Sequence, residues 1–343
     1  MGDDILPPGK LPGELLKTLI QRYVFPSQDV IIGPGIGRDA AAIDLGDRIL
    51  IVKTDPITFA TDDIGRYLVN VNANDIACMG GEPRWLLVTA LLPERSTTPA
   101  LVESLFRSVS QAAREIGVAL VGGHTEITLG IDRPILVGQM IGESSRDDLV
   151  DPSSAQPGDV ILLCSGIAIE GTAILARDPT VSDRLNALTP EMIAPAVNLL
   201  VSPGISVLPA ARALRQAGVV PRALHDPTEG GIATALAELG DATGLGVTVD
   251  ADTISILPET TAICDALGLD PLGLIASGAL LAVVSRNDAE RAIGALHRDS
   301  ISAAEIGYLT DRPLDRWMLR AGTRFNLPTF AVDEIARHYA QAR

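Results

Sequence analysis

Four short motifs combine acidic residues with glycines or other small residues, and their groups could bind a metal ion or phosphate. They are GPGIGRDAA at 33–41, NANDIACMGGEP at 72–83, GGHTE at 122–126 and HDPTEGG at 225–231. The residues around each motif predict the end of a strand or a position near the end of a helix. Carboxylates at such places can hold Mg²⁺, and exposed backbone N–H groups can hold phosphate oxygens. Together the motifs indicate a site for a nucleotide and its metal ion.

The first motif is a glycine-rich turn that contains Gly35 and Gly37 and is followed by Asp39. A dinucleotide-binding glycine loop must open a helix, whereas the next residues, AIDLGDRILIV at 42–52, predict strands. The phosphate-binding pattern GxxxxGK[ST] does not occur in the sequence. Two interpretations remain open: a plain turn with a solvated Asp39, or a flexible flap whose amides cover phosphates while Asp39 reaches a metal ion.

Lys53 and Asp55 come at the predicted end of a buried strand, in a chain that contains few lysines. Asp55 could ligate a metal ion and Lys53 could contact phosphate as a point charge, or the two could form a salt bridge. Asn72 and Asp75 are three residues apart on a predicted helix, so they can share one face. Asp75 has apolar neighbours, where a carboxylate is costly unless it is paired or metal-bound. A cap on a neighbouring loop is the alternative for Asp75.

The third motif is expected to form a turn after a strand at Val118–Val121. Gly122 and Gly123 would allow a ligand to approach the backbone closely. His124, Thr125 and Glu126 then supply hydrogen-bond donors and acceptors in a row. This combination favours a binding site over a purely structural histidine.

The fourth motif follows a predicted strand and precedes a predicted helix, so its amides would lie at a helix N-terminus. Asp226 is the candidate metal ligand in this motif. Thr228 could contact the ligand together with Gly230, or it could simply cap the helix with Glu229.

Composition narrows the classes of partner. The formal net charge is −16 and aromatic residues make up only 3% of the 343 residues, which argues against nucleic-acid binding. No apolar run is long enough to span a bilayer and no basic amphipathic stretch indicates membrane binding. The N-terminus has no hydrophobic signal core, and the three cysteines form no CxxC pair. We therefore expect a cytoplasmic protein with reduced, mostly buried cysteines.

The elements that must position these motifs are predicted from periodicity and capping residues. Residues 11–23 carry apolar side chains at helical spacing. Asp62 or Asp63 is expected to cap a helix that runs to about Met79, and Thr98 a helix that runs to Ile116. The polar stretch at 143–159 is rich in Ser, Pro and Asp and predicts a boundary between domains 1–150 and 151–343.

In their order along the chain, the motifs resemble the aminoimidazole-ribonucleotide-synthetase-related (PurM-like) superfamily. GRDAA at 37–41 is similar to the GDDAA of the kinase branch, with Arg38 in place of an acid, and KTDP at 53–56 looks like the TTD segment. The segment GRYLVNVNANDIACMGGEP at 65–83 resembles the family's helix that bears ND and MG. The segments at 157–175, 225–239 and 277–283 are similar to the HypE branch.

The resemblance implies an α/β N-terminal domain that dimerises through its sheet, followed by an α+β C-terminal domain. It implies ATP and Mg²⁺ in the cleft between them, and a chemistry in which ATP activates an oxygen or phosphorylates a nucleophile. The resemblance implies Asp39, Asp55, Asp75 and Asp226 as metal ligands, and Asn74, Gly122, Gly123, Thr125 and Glu126 as nucleotide neighbours. The motifs themselves add Gly35, Gly37, Thr228 and Gly230 around the nucleotide, and Lys53, His124 and Glu126 as candidate catalytic residues.

One departure from the HypE branch matters for the acceptor. Members of that branch work on their own C-terminal cysteine, whereas this sequence has no cysteine after Cys264. The first hypothesis is therefore a homodimeric, ATP-dependent enzyme that acts on a free small-molecule acceptor. The alternative hypothesis is a catalytically quiet, nucleotide-binding dimer that serves as a maturation or regulatory scaffold, with a partner protein.

Overall fold

The computed structural model describes residues 11–25, 27–35, 38–58, 63–185 and 188–341. Within them the helices are α1 Gly13–Tyr23, α2 Ile64–Cys78, α3 Pro99–Ile116, α4 Ile169–Arg177, α5 Ser182–Leu185, α6 Pro190–Asn198, α7 Leu208–Gln216, α8 Gly231–Thr243, α9 Pro258–Leu267, α10 Ala289–Arg298 and α11 Glu334–Gln341. The strands are β1 Val30–Ile32, β2 Ala41–Asp44, β3 Ile49–Ile57, β4 Glu82–Pro93, β5 Ala119–Thr128, β6 Ile135–Ser144, β7 Val160–Cys164, β8 Ala223–His225, β9 Gly246–Asp250, β10 Leu280–Val284, β11 Ala303–Thr310, β12 Arg316–Arg320 and β13 Thr323–Asn326.

The chain divides into two compact units. The N-terminal unit comprises Ser27–Gly33 and Asp39–Leu149, and the C-terminal unit comprises Val150 onward together with the described parts of 1–26 and 34–38. The break after Leu149 falls inside the polar stretch at 143–159. The start of the chain departs from the predicted division, because α1 groups with the C-terminal unit.

The N-terminal unit is a mixed sheet in the order β1-β2-β3-β6-β4-β5, with helices α2 and α3 packed on it. Every residue of α2 except Arg66 is buried. Such a helix must bury its polar residues as well, so Asn72, Asn74 and Asp75 all need partners inside the unit. Gly65 lets α3 come close, since a Cβ there would clash with the backbone of Val109.

The C-terminal unit is built on a sheet in the order β13-β12-β9-β11-β7-β10-β8. Its central strands β7 and β10 are buried along their whole length, which is typical of strands covered on both faces. Side chains from α8, including Ile232 and Leu236, complete one core cluster with Ile161 and Leu281.

Several predicted elements are confirmed, and one of two alternative caps predicted for α2 is not formed. Thr98 caps α3 through a hydrogen bond that its Oγ1 accepts from the Leu101 N–H (3.2 Å), and α1 and α2 lie where periodicity placed them. Asp63 occupies the N-cap position of α2, but its side chain makes no capping hydrogen bond because its backbone is left-handed there. Asp62, the alternative cap, lies outside the described residues.

The three cysteines are buried, as expected. Burial raises the pKa of Cys164 to about 12, and burial followed by nearby acids does the same for Cys264. Among the described residues, no single helix has the length and apolar composition needed to cross a membrane. One pair of helical segments, Pro190–Asn198 and Leu200–Gln216, bent by 41° at the break between them, has that length and composition when taken together. The cytoplasmic location stays a prediction.

Candidate functional site

Lys53 joins two of the predicted metal ligands. Its Nζ lies 3.0 Å from Asp75 Oδ2 and 3.5 Å from Asp55 Oδ2. Lys53 and Asp55 are two residues apart on β3, so they point to the same face of the sheet, where α2 presents Asp75. The motif lies in the middle of β3, not at its end as the sequence suggested, because the strand continues through Ile57 in register with β6.

The neighbouring acids stabilise the protonated, charged form of Lys53. Burial alone would lower the pKa of Lys53, but the charges of Asp75, Asp55 and Asp39 outweigh it and raise the pKa well above its usual value. The salt bridge considered from the sequence therefore exists and includes Asp75 as well. Three carboxylates act on one ammonium, so the cluster keeps a net negative charge.

Asn72 adds a buried amide beside this cluster. Its Nδ2 donates to the carbonyl oxygen of Leu68 (2.9 Å) and lies 3.4 Å from the carbonyl oxygen of Asp55. Its Oδ1 is buried and accepts no hydrogen bond from any residue that the structure describes. Gly138 on β6 makes room for Asn72, since a Cβ there would lie 2.5 Å from Nδ2.

These residues fit a magnesium ion. Mg²⁺ prefers carboxylate and carbonyl oxygens, and the carboxylates of Asp55 and Asp75 already converge on one cationic centre. The buried Asn72 Oδ1, which has no hydrogen-bond donor among the described residues, and the excess negative charge of the three carboxylates also favour a cation here. The donor set could thus exchange the ammonium of Lys53 for a metal ion.

The GGHTE motif is not a turn, because it lies inside β5, the edge strand of the sheet. Gly123 has φ +147° and a Cβ there would overlap the carbonyl oxygen of Val88. The second glycine therefore serves the parallel pairing of β5 with β4. The sequence missed this because strand pairing is not local, whereas two adjacent glycines are typical of a turn.

His124 and Glu126 lie on one face of this exposed strand. His124 Nε2 is 3.1 Å from Glu126 Oε2, and the Thr128 hydroxyl donates to Glu126 Oε1 (2.5 Å). These bonds, first from Thr128 and then from His124, lower the pKa of Glu126. The side chains of His124 and Glu126 are 66% and 49% exposed, so both can reach a ligand from solvent.

Strand register separates this pair from Lys53. Asp55 pairs with Gly138, Gly138 with Val88, and Val88 with Gly123. Three strand spacings amount to about 14 Å. Within one N-terminal unit, the residues predicted to share a catalytic site therefore lie in two separate places.

The HDPTEGG motif lies in the C-terminal unit, between β8 and α8, as predicted. Asp226 is buried and Gly230 is the N-cap of α8, with φ +80°. The amides of this turn have acceptors in the protein: Gly230 N–H donates to Asp333 Oδ2 (2.6 Å) and Gly231 N–H to the carbonyl oxygen of Thr228 (3.0 Å). The amide of Gly230 is thus engaged by a side chain that the sequence had not connected with this motif.

The remaining predicted residues are less informative. Gly35 packs beside Arg38, Asp39 is half-buried, and Asn74 is fully buried in α2. Gly37 lies outside the described residues. Asp226 belongs to a different unit from Asp55, and its role as a ligand for the same metal ion stays a prediction.

Two matches to known families cover most of the chain. Residues 37–144 match the family described as AIR synthase related protein, N-terminal domain, and residues 156–318 match its C-terminal domain. The chain is 32% identical over 313 residues to a putative hydrogenase expression/formation protein of Methanocaldococcus jannaschii, covering 88% of each. The chain belongs to the AIR synthase related family.

Relatives within this family carry the HypE name. Carbamoyl dehydratase HypE of Cupriavidus necator is 30% identical over 343 residues, which covers 98% of this chain and 86% of that protein. Among solved structures, HypE in complex with ATP has a TM-score of 0.70 at 26% identity (93% of this chain, 96% of that one), and HypE of E. coli has 0.72 at 25% (95% and 99%). The resemblance and the two-domain PurM-like fold expected from the sequence are confirmed.

A pair of buried acids in the C-terminal unit escaped the sequence analysis. Burial raises the pKa of Glu170 to about 7 and that of Asp333 to about 6. Glu170 accepts hydrogen bonds from Ser277. Its Oε2 is buried and accepts no hydrogen bond from any described residue. The one available signal was a lone glutamate in the apolar run IAIEGTAI at 167–174.

Proposed function

We propose that this chain is an ATP- and Mg²⁺-dependent enzyme that activates an oxygen of a small-molecule acceptor, by dehydration or phosphorylation. Membership of the AIR synthase related family supports an ATP-dependent enzyme, because its relatives include carbamoyl dehydratases and a HypE solved with ATP. The observation that carries the proposal is the convergence of Asp55 and Asp75 on Lys53.

Asp55 and Asp75 are the proposed holders of Mg²⁺, with Asp39 close enough to act on the same charge. When bound, the ion would neutralise the triphosphate and the charge that develops on the transferred group. Lys53, released from the two carboxylates, is placed to donate its ammonium hydrogens to phosphate oxygens. Asn74, Thr125 and Thr228 are proposed as nucleotide neighbours.

His124 and Glu126 are proposed to orient or deprotonate the acceptor. They already share a hydrogen bond, and a carboxylate that fixes an imidazole is a common arrangement for a general base. Because about 14 Å of sheet separates them from Asp55, a bound substrate would have to span that distance for them to act together with Lys53.

A homodimer formed through β5 is a separate part of the proposal. The edge strand is exposed along nearly its whole length and includes Val121 and Ile127, which are 54% and 64% exposed. Beside it, an apolar pocket of about 170 Å³ is lined by residues that include Phe106 and Leu120. A long unpaired edge with apolar side chains is typical of a strand that pairs with another chain.

The acceptor is proposed to be a free molecule with a carbamoyl, amide or phosphate oxygen. Carbamoyl dehydratase relatives support the first of these. The three cysteines are buried, and the raised pKa of Cys164 and Cys264 keeps their thiols protonated, so neither is a ready nucleophile. A protein partner remains a further candidate, because a HypE of the same fold was solved as a complex with HypF.

Calorimetric titration with ATP and Mg²⁺ tests the proposal. We expect the folded wild type to bind, and Asp55→Asn and Asp75→Asn to weaken binding by about tenfold or more, because each removes a charged ligand. Asp47→Asn is the matched control, since Asp47 is exposed on the β2–β3 turn of the same unit.

Two outcomes would contradict the proposal that the chain is an enzyme. A folded wild type that does not bind ATP would remove the nucleotide site altogether. Binding without ATP turnover, with every carbamoyl, amide or phosphate acceptor supplied, would instead favour the nucleotide-binding scaffold.

A further inference from the structure

The segment around α11 is docked onto the C-terminal unit by several specific contacts. Glu334 Oε2 accepts the N–H of Asp270 (2.8 Å), and Arg337 donates to the carbonyl oxygen of Gly268 (3.0 Å). The ring of Phe330 fills the space beside Gly273, where a Cβ would overlap it. The segment therefore lies along the 268–275 stretch as a fixed part of the fold.

Asp333, which precedes α11, connects this segment to the HDPTEGG turn. Its Oδ2 accepts the Gly230 N–H (2.6 Å), while its Oδ1 accepts the N–H of Ile335 at the start of α11 (2.8 Å). The N–H of Ile275 also donates to this carboxylate. One buried side chain thus ties the HDPTEGG turn to α11 and to the 268–275 stretch. Hydrogen bonds to an ionised carboxylate are stronger than those between neutral groups.

The turn needs such a tie because two consecutive glycines form it. Gly230 and Gly231 have φ +80° and +63°, a left-handed conformation that glycine adopts readily but only one of many open to it, so fixing it costs more backbone entropy than at other residues. Gly231 is confined by the 272–274 backbone, since a Cβ there would lie 2.5 Å from the carbonyl oxygen of Leu272. Gly230 has the side chain of Asp333 as the acceptor for its amide.

We propose that Asp333 is a positioning residue for the turn at 226–231, which it holds in the conformation that presents Asp226 and Thr228. The inference rests on the proposed function in so far as those two residues contact the ligand. Asp333 does not touch the ligand; it acts through the amide of Gly230 and fixes the N-terminal end of α8.

The surroundings of Asp333 support a functional placement over a simple docking contact. Burial and the charge of Glu229 raise its pKa, and the buried Glu170 lies close enough to feel its charge. A buried acid with two acidic neighbours costs stability, which is typical of groups placed for function. Docking of α11 alone could rely on Glu334 and Arg337, which neutralise each other.

Hydrogen exchange measured by mass spectrometry tests this in the full-length protein without any ligand. In Asp333→Ala we expect exchange of peptides spanning 226–236 to accelerate by about tenfold, the effect of losing one strong hydrogen bond. Asp333→Asn, which keeps a carbonyl acceptor, should restore much of the protection. Glu334→Ala is the matched control, because it loosens the same helix from Asp270 but makes no contact with the turn.

Titration of the same variants with ATP and Mg²⁺ provides the second readout. Asp333→Ala should weaken binding by about fivefold to tenfold, with Asp333→Asn intermediate and Glu334→Ala close to wild type. The proposal is overturned if Glu334→Ala accelerates exchange at 226–236 as much as Asp333→Ala does, or if Asp333→Ala leaves that exchange unchanged. A wild type that binds no ATP would contradict the proposed function. Hydrogen exchange at 226–236 would still decide whether Asp333 holds the turn.

Discussion

Both units bury carboxylates, but they compensate them by different means. In the N-terminal unit, Asp55 and Asp75 face the ammonium of Lys53, a full counter-charge on a flexible side chain. In the C-terminal unit, Asp333 is held by backbone N–H groups, and the nearby Glu170 has a pKa of about 7 because it is buried. We propose that the first arrangement can exchange the ammonium for a metal ion, whereas the second fixes the backbone and responds to pH.

Removing the counter-charge should have the largest effect. Lys53→Met leaves Asp55 and Asp75 without a cation, which should lower the free energy of unfolding by about 3 kcal/mol, the low end for buried pairs because Asp55 is partly exposed. Thermal unfolding should also show a larger stabilisation by Mg²⁺ in this variant than in wild type, because the ion can take the place of the ammonium.

The exposed Lys17→Met serves as the control for that experiment and should change neither quantity. A Lys53→Met protein as stable as wild type, with no added response to Mg²⁺, would mean that the carboxylates are not a cation site.

A change of pH should separate the two units. The folded-state pKa of Glu170 (about 7) and of Asp333 (about 6) lies above the unfolded value, so the folded state binds more protons between about pH 4 and 7. Stability of the C-terminal unit should therefore fall by about 2 kcal/mol as pH rises from 6 to 8. Lys53, whose pKa is raised, stays charged over that range and gives the N-terminal unit no such dependence. Hydrogen exchange of peptides from each unit measures the stability of each unit at the two pH values. An equal loss of stability in the two units would contradict the comparison.

The smallest effect is expected from neutralising one acid of the pair. Glu170→Gln should stabilise the C-terminal unit by about 1 kcal/mol more at pH 8 than at pH 6, because wild-type Glu170 is mostly protonated at pH 6. Glu290→Gln, an exposed acid in the first turn of α10, is the matched control. A Glu170→Gln protein that loses stability at pH 8 would show that the charged form makes a contact that the structure does not contain.

Local signals predicted the parts of the site whose residues lie close in sequence or on one face. The spacing of Asn72 and Asp75 placed them together on α2, and a lysine in an apolar strand indicated a partnered charge. The acidic and glycine-rich composition of the four motifs predicted a nucleotide site, and the family resemblance agreed with it. These successes depend on the 3.6-residue and two-residue periods, which can be read from a single segment.

Non-local pairing explains what the sequence could not predict. Gly122 and Gly123 have the composition of a turn, but pairing with β4 draws them into an extended strand. Asp333 meets Gly230 only because α11 folds back along the 268–275 stretch. No local period encodes either contact, so both required the folded structure.

Co-crystallisation with a non-hydrolysable ATP analogue and Mn²⁺, with anomalous scattering to locate the ion, tests the central claim most directly. The account predicts an ion that bridges the carboxylates of Asp55 and Asp75, with Lys53 Nζ moved from Asp75 to a phosphate oxygen. An ion bound elsewhere, with Lys53 still bridging the two carboxylates beside a bound nucleotide, would contradict it.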